Sequence, residues 1–306
     1  YGTTRDYVLG MEVVLANGDI MRTGSACMKC VSGYDLTRLM VGSEGTLGIV
    51  TEIIFKINPR PTAASTTLAT FAKLEDAGNA VTQIMYSGVI PSVLEIMDRY
   101  TIKAINENTD LGLPEVDAML LVETDGYTKD ETEYQMDKII AVLEKNNPGP
   151  ITRAETAEES ANLWKARKSA YAVLARIQTH FALEDVTVPM GKIADLLRGI
   201  QAIADKYDVS IATFGHAGDG NLHPQILFDG YDKDMVERVE KAIGELFQLS
   251  VDLRGTLTGE HGIGIAKAPY MTLEHDEVAM NVMRAVKKTF DPKNILNPGK
   301  MALEVN

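Results

Sequence analysis

Apolar runs broken by glycine and proline divide the chain into short strands and amphipathic helices. Residues 8–15 (VLGMEVVL) read as a strand, and Asn17-Gly18-Asp19 as the hairpin turn leading to Ile20 and Met21. A loop to Gly33 and a short helix over 35–40 precede Gly42-Ser43-Glu44-Gly45-Thr46-Leu47-Gly48, which runs into a strand over 49–57. Asn58-Pro59-Arg60-Pro61 ends that strand and marks a boundary, because neither proline can donate to a ladder. Beyond it strands over 66–71, 93–97, 118–123 and 183–188 alternate with helices over 73–86, 98–107, 129–145, 157–178 and 193–207. Residues 209–214 and 222–228 read as a strand pair, followed by helices over 232–253 and 277–289. This order predicts a layered α+β fold with antiparallel pairing and no visible internal repeat.

The strand pair encloses Gly215-His216-Ala217-Gly218-Asp219-Gly220-Asn221-Leu222-His223. Glycines let the chain fold back sharply, and such a turn can bring both imidazoles to one point. Neutral imidazole is a common transition-metal ligand, and an open site also needs a third ligand, usually a carboxylate. A Gly-rich hairpin with two incidental histidines is the competing reading, but the whole chain has only five histidines. Asp219 reads as a turn residue or as one that orients a histidine. Downstream, Gly259-Glu260-His261-Gly262 sets a carboxylate beside a histidine, so that one could meet a metal while the other faces substrate. A salt-bridged Glu-His pair in a loop is the alternative. The Gly42–Gly48 stretch lacks the Lys-Ser/Thr ending of a P-loop, and alone it reads equally as a ligand cradle or a turn-rich connection.

Composition narrows the class. The chain has 306 residues, 45% hydrophobic and 24% charged, which suits one large or two smaller globular domains. A net charge of -13 argues against nucleic acid or an anionic membrane as the main partner. No stretch approaches the roughly 20 apolar residues of a spanning helix. The first residues lack a basic region followed by an apolar one, so they do not read as a signal peptide. Cys27 and Cys30 are the only cysteines. With no second pair to complete a zinc site and no thioredoxin-like context, they read as incidental thiols in a reducing compartment.

Taken together, residues 1–10, Gly33-Tyr34-Asp35, the 42–50 stretch, the His216–His223 motif, Gly259-Glu260-His261-Gly262 and Asn297-Pro298-Gly299-Lys300 resemble the FAD-linked D-2-hydroxyacid dehydrogenases, including glycolate oxidase D-subunit-like and D-lactate dehydrogenase-like proteins. The likeness covers essentially the whole chain in order. It implies the second half of a vanillyl-alcohol-oxidase-type FAD-binding domain (1–60), a ferredoxin-like substrate and metal cap with an antiparallel sheet (61–289), and a segment returning to the flavin side (290–306). A subdomain with a Gly-rich pyrophosphate loop would precede residue 1, so the sequence reads as a fragment.

The resemblance also assigns residues. His216, His223 and Glu260 match ligands of a divalent metal (zinc, manganese or iron), and His261 matches the base that takes the substrate hydroxyl proton. Arg167 matches an arginine that clamps the substrate carboxylate, where a guanidinium fork suits better than lysine. An exposed helix charge among Lys165 and Lys168 is the competing reading for Arg167. Tyr171, one helical turn on, and Gln225, on the strand face of His223, are candidate substrate contacts. Gly42, Ser43, Gly45, Gly48, Ile49 and Asn297 match positions near FAD. The implied activity is oxidation of a small D-2-hydroxyacid of lactate or glycolate type, with hydride transfer to the flavin and an electron-transfer flavoprotein or quinone as acceptor. The implied location is cytoplasmic or peripheral to the inner membrane. A non-catalytic metal-binding or assembly module is the competing function; a metal-free oxidase of bulkier alcohols is a third, disfavoured by the histidine and glutamate set.

Overall fold

The computed structural model describes residues 1–178 and 180–304. The chain divides into two compact units, one made of Tyr1–Arg60 with Gly262–Asn306 and the other of Pro61–His261.

In the first unit β1 (Val8–Val14) lies between β2 (Ile20–Gly24) and β3 (Ile49–Phe55) in an antiparallel sheet. The Asn17-Gly18-Asp19 turn closes the β1–β2 hairpin, with Gly18 at φ +90°, a conformation glycine adopts without a Cβ penalty. Helices α1 (Thr4–Tyr7) and α2 (Leu36–Met40) follow the same unit. Val8, Met11, Val13, Met40 and Leu47 form its core, and Val286 and Phe290 of a C-terminal helix (Glu277–Phe290) pack against it. That helix therefore belongs with the first unit. The sequence placed it in the cap, with a boundary at 289/290, whereas the contacts divide the chain at His261/Gly262. A helix is assigned by the core that takes its apolar stripe, and the stripe alone does not say which core that is. β3 is an edge strand whose Ile49, Val50, Ile53, Ile54 and Phe55 are all exposed, an apolar surface of the kind that marks an interaction face.

The second unit holds an eight-stranded antiparallel sheet with a duplication that the sequence did not reveal. Its first half runs β4 (Ala63–Phe71), α3 (Leu74–Tyr86), β5 (Val93–Asp98), α4 (Arg99–Asn108), β6 (Ala118–Gly126), α5 (Lys129–Leu143) and β7 (Pro148–Arg153). The strand order is β7-β4-β6-β5, that of a ferredoxin-like βαββαβ unit with α4 added. After α6 (Ala157–Ile177), the second half runs β8 (His180–Leu183), β9 (Val186–Thr187), α7 (Ile193–Tyr207), β10 (Ser210–His216), β11 (Asn221–Phe228) and α8 (Lys233–Asp252). β11 sits between β10 and β8/β9, and Thr256 bridges Thr187 where a fourth strand would lie. The halves join edge to edge through β5 and β10. Each half follows the same path with different side chains, which hides the repeat from sequence comparison.

Alternation along the strands gives the sheet two faces. In α7, Ile193, Leu196, Leu197, Ile200 and Ile203 are buried at helical spacing, each worth about 1.5–3 kcal/mol over an exposed position. On the other face α4 and α6 cover Met97, Ala212, Phe214 and Leu227 through Ile102, Ile105, Ala166, Ala170 and Leu174. Cross-strand pairing puts Glu95 beside His216, His223 beside Phe214, and Gln225 beside Ala212 on this second face. No helix among the described residues is long and apolar enough to cross a membrane.

Asp98 closes the β5–β10 ladder with its side chain. Its carboxylate accepts the Thr101 amide at 2.8 Å, capping α4, and the Thr213 amide at 2.9 Å. Burial pushes the Asp98 carboxyl up to about 6, against those hydrogen bonds. The folded state thus holds this proton at pH values where the unfolded chain, with a carboxyl near 4, has lost it. Its contribution to stability falls as pH rises from about 4 to about 6, by about 2–3 kcal/mol. Asp98→Asn does not titrate, so the stability of wild type minus that of the variant should decline across this window. Urea unfolding at several pH values measures the difference; a flat one contradicts the assignment.

Candidate metal centre

The β10–β11 hairpin brings His216 and His223 together as the turn chemistry suggested. Gly220, at φ +82°, passes so close to Val188 that a Cβ would lie 2.1 Å from its carbonyl oxygen. Asp219 Oδ1 accepts the Asn221 amide at 3.2 Å, a turn role as expected. The two imidazole centroids are 5.3 Å apart at 90°. Glu260 reaches the same point: its Oε1 lies 3.2 Å from His223 Nε2 and 3.5 Å from His216 Nε2. The ligand atoms of His216, His223 and Glu260 all lie within 4.8 Å of one another, the one such group among the described residues. Two imidazoles and a carboxylate converging on one point fit a divalent cation, and three protein ligands leave positions open.

Electrostatics prepares the two histidines differently. Burial, followed by the neighbouring His216 and His261, pushes His223 down to about 4, so its ring is neutral at neutral pH. The hydrogen bond to Glu95 raises His216, with burial opposing it. Glu95 Oε1 lies 2.5 Å from His216 Nδ1, leaving Nε2 to face Glu260 and His223. Such a carboxylate behind a histidine fixes its ring and increases its basicity as a ligand. Burial would raise Glu95, but the His216 hydrogen bond and the Arg167 charge outweigh it and hold the carboxyl below its ordinary value.

Arg167 is no exposed helix charge. Its Nε donates to Glu95 Oε2 at 2.7 Å and its guanidinium lies 4.4 Å over the Phe214 ring. One buried carboxylate therefore joins the arginine to a metal-ligand candidate. Tyr171 is half exposed and packs edge-on to Phe181, with centroids 6.0 Å apart. Gln225 is fully buried on the His223 strand face, and neither its Oε1 nor its Nε2 has a hydrogen-bond partner. An amide left so is costly unless something else satisfies it.

The Gly259–Gly262 loop is held from below by Asp185, a residue the sequence did not single out. The fully buried Asp185 accepts the amides of Gly259, Glu260 and His261 at 2.7, 2.7 and 3.0 Å and the Thr258 hydroxyl at 2.8 Å. Asn221 Nδ2 also donates to Glu260 Oε1 at 3.3 Å. Gly259 has no room for a side chain, since a Cβ would come 2.2 Å from Thr187 Oγ1. The His261 ring stacks on His223, with centroids 5.0 Å apart and planes at 11°.

In the first unit the 42–48 loop meets the C-terminal segment. Asn297 Nδ2 donates to the Glu44 carbonyl at 2.6 Å, and a Cβ on Gly45 would lie 2.7 Å from Asn297 Nδ2. Glu44 accepts the amides of Ile263 and Gly264, both at 2.7 Å. Gly42, Ile49 and Asn297 are exposed, while Ser43 and Gly45 are half-buried. Gly48 is buried, and a Cβ there would sit 2.4 Å from Val13 Cγ1, so the loop packs closely on β1 at this position. Lys287 is buried beneath this loop, bonded to the Thr46 and Leu296 carbonyls at 2.9 and 2.7 Å and paired with Asp291.

Solved structures show the fold first. The fold matches p-cresol methylhydroxylase with substrate bound at a TM-score of 0.76 and 18% identity, covering 97% of this chain and 65% of that one. Alkyldihydroxyacetonephosphate synthase matches at 0.63 and 19% identity, covering 97% of this chain and 55% of that one. At such identities the likeness is one of fold, the α+β vanillyl-alcohol-oxidase type expected from the sequence.

Residues 60–301 match the family of FAD linked oxidases, C-terminal domain, and the chain belongs to that family. It is 50% identical over 302 residues to the glycolate oxidase subunit GlcD of Bacillus subtilis (strain 168), covering 98% of this chain and 64% of that protein. It is 35% identical to the mitochondrial D-lactate dehydrogenase (cytochrome) of Arabidopsis thaliana, covering 98% of this chain and 53% of that protein. The Escherichia coli (strain K12) GlcD subunit is 36% identical, with 98% and 60% covered. The chain thus spans between half and two thirds of the length of these relatives.

Proposed function

We propose that this chain is the substrate- and metal-binding part of an FAD-dependent dehydrogenase that oxidises a small D-2-hydroxyacid of lactate or glycolate type to the 2-oxoacid. The convergence of His216, His223 and Glu260 carries the reading, and the names of the relatives support the substrate class.

A divalent metal held by these three residues supplies a Lewis acid that lowers the pKa of a bound hydroxyl. FAD, with Gly42, Ser43, Gly45, Gly48, Ile49 and Asn297 among the residues that would hold it, supplies a two-electron acceptor; Asn297, bonded to the Glu44 carbonyl, fixes the backbone of this glycine-rich loop. Arg167 offers its Nη groups to the substrate carboxylate while its Nε stays on Glu95, so substrate charge is matched without leaving Glu95 unpaired. Gln225 provides the remaining polar contact, and His261 takes the hydroxyl proton. An electron-transfer flavoprotein or a quinone is the proposed final acceptor.

Calorimetric titration of the zinc-loaded chain with D- and L-lactate and glycolate tests the substrate class without needing flavin. D-lactate should bind one to one and only with zinc present, at least about 10-fold tighter than the L form. Equal binding of both forms, or binding indifferent to chelator, would sink the reading.

A further inference from the structure

The Gly259–Gly262 loop shows an arrangement beyond metal ligation. Three successive amides, those of Gly259, Glu260 and His261, converge on a single oxygen, Asp185 Oδ2. Such a row of N–H groups is an anion-binding nest, here filled by the protein's own carboxylate. The second oxygen, Oδ1, accepts the Thr258 hydroxyl and lies 3.6 Å from His261 Nδ1. The His261 ring stacks on His223, and within that plane its Nδ1 edge lies toward Asp185.

We propose that Asp185 is the positioning residue for His261: its carboxylate holds the imidazole as the Nδ1–H tautomer, leaving the Nε2 lone pair as the proton acceptor. The inference rests on the reading of His261 as base. The physical reason is the acceptor-only nature of a carboxylate. Facing Nδ1, it favours a proton there and disfavours a lone pair, so the basic nitrogen is fixed at the other side of the ring. When the substrate hydroxyl transfers its proton, the O–H bond breaks, an Nε2–H bond forms and the electron pair stays on oxygen. The imidazolium so formed gains a buried negative partner at the moment its charge appears.

A purely structural role for Asp185 would end with the loop. Asp185→Asn separates the two roles, because the amide oxygen can still face the three amides while its NH2 faces Nδ1. A donor there favours the Nε2–H tautomer and removes the basic lone pair. In a Ser-His-Asp triad the same change costs about 10⁴-fold in turnover with geometry intact.

The test reads the tautomer directly, from imidazole 15N shifts and long-range 1H–15N correlations of 15N-histidine protein; five histidines can be assigned by single substitutions. In the wild type His261 should carry its proton on Nδ1, and in Asp185→Asn on Nε2. Zinc stoichiometry and KM should stay within about 3-fold of wild type, while kcat in FAD-loaded protein falls at least about 100-fold. A wild-type His261 protonated at Nε2 overturns the proposal, whether or not the variant folds. So does a variant that loses zinc and turnover in parallel with its tautomer unchanged. Failure of the base reading itself would show separately, as turnover indifferent to His261→Ala.

Discussion

Replacing His223 by alanine should weaken zinc binding by well over about 100-fold, since losing only a partner behind a ligand costs about 10- to 100-fold. His216→Ala should behave alike, and Glu95→Gln should fall in the smaller range, because it touches the metal only through His216 Nδ1. The grading follows from the geometry: His223 is buried and already neutral, so it offers its lone pair without first losing a proton. Competition against a chelator of known affinity measures each step, with circular dichroism confirming the fold. Equal affinities for wild type and His223→Ala would remove the site.

The second large effect concerns the first unit. Lys287→Met should cost about 3–5 kcal/mol, because it strands the Asp291 carboxylate in a fully buried position and leaves the Thr46 and Leu296 carbonyls without their donor. Asp291→Asn in the same chain should recover part of that loss by removing the unpaired charge, although the amides of Ile295 and Leu296 still need an acceptor there. Urea unfolding of both single variants and the double variant gives the coupling energy. Simple additivity would mean that Lys287 and Asp291 are not energetically coupled.

How much of this was legible in the sequence depended on whether a signal was local. The His216–His223 hairpin was readable because glycines, an Asx residue and flanking apolar runs all lie within one turn. Glu260 and His261 were readable as a pair, but their meeting with the hairpin came only from resemblance, since the bridge from Thr187 to Thr256 that brings them there has no local signature. Glu95 left a faint trace: a carboxylate in an apolar strand, Val93–Asp98, must find a partner, yet nothing nearby says that the partners are 72 and 121 residues away. Asp185 left a similar one between two short strands. At Gly48 the close approach of Val13 was not legible, because a glycine that makes room for a side chain and one that makes room for a ligand look alike in sequence. The helix Glu277–Phe290 went to the wrong unit because its amphipathic pattern does not name the core that receives it.

Two imidazoles and one carboxylate of the second unit are proposed to form a metal site. X-ray absorption at the zinc edge, on the chain loaded with one equivalent of zinc, tests it most directly. Nitrogen and oxygen neighbours are expected at about 2.0–2.2 Å with the outer-shell scattering of two imidazoles, lost in the His216→Ala/His223→Ala double variant. Sulfur neighbours at about 2.3 Å would place the ion on Cys27 and Cys30, the exposed thiols of the first unit, and contradict it.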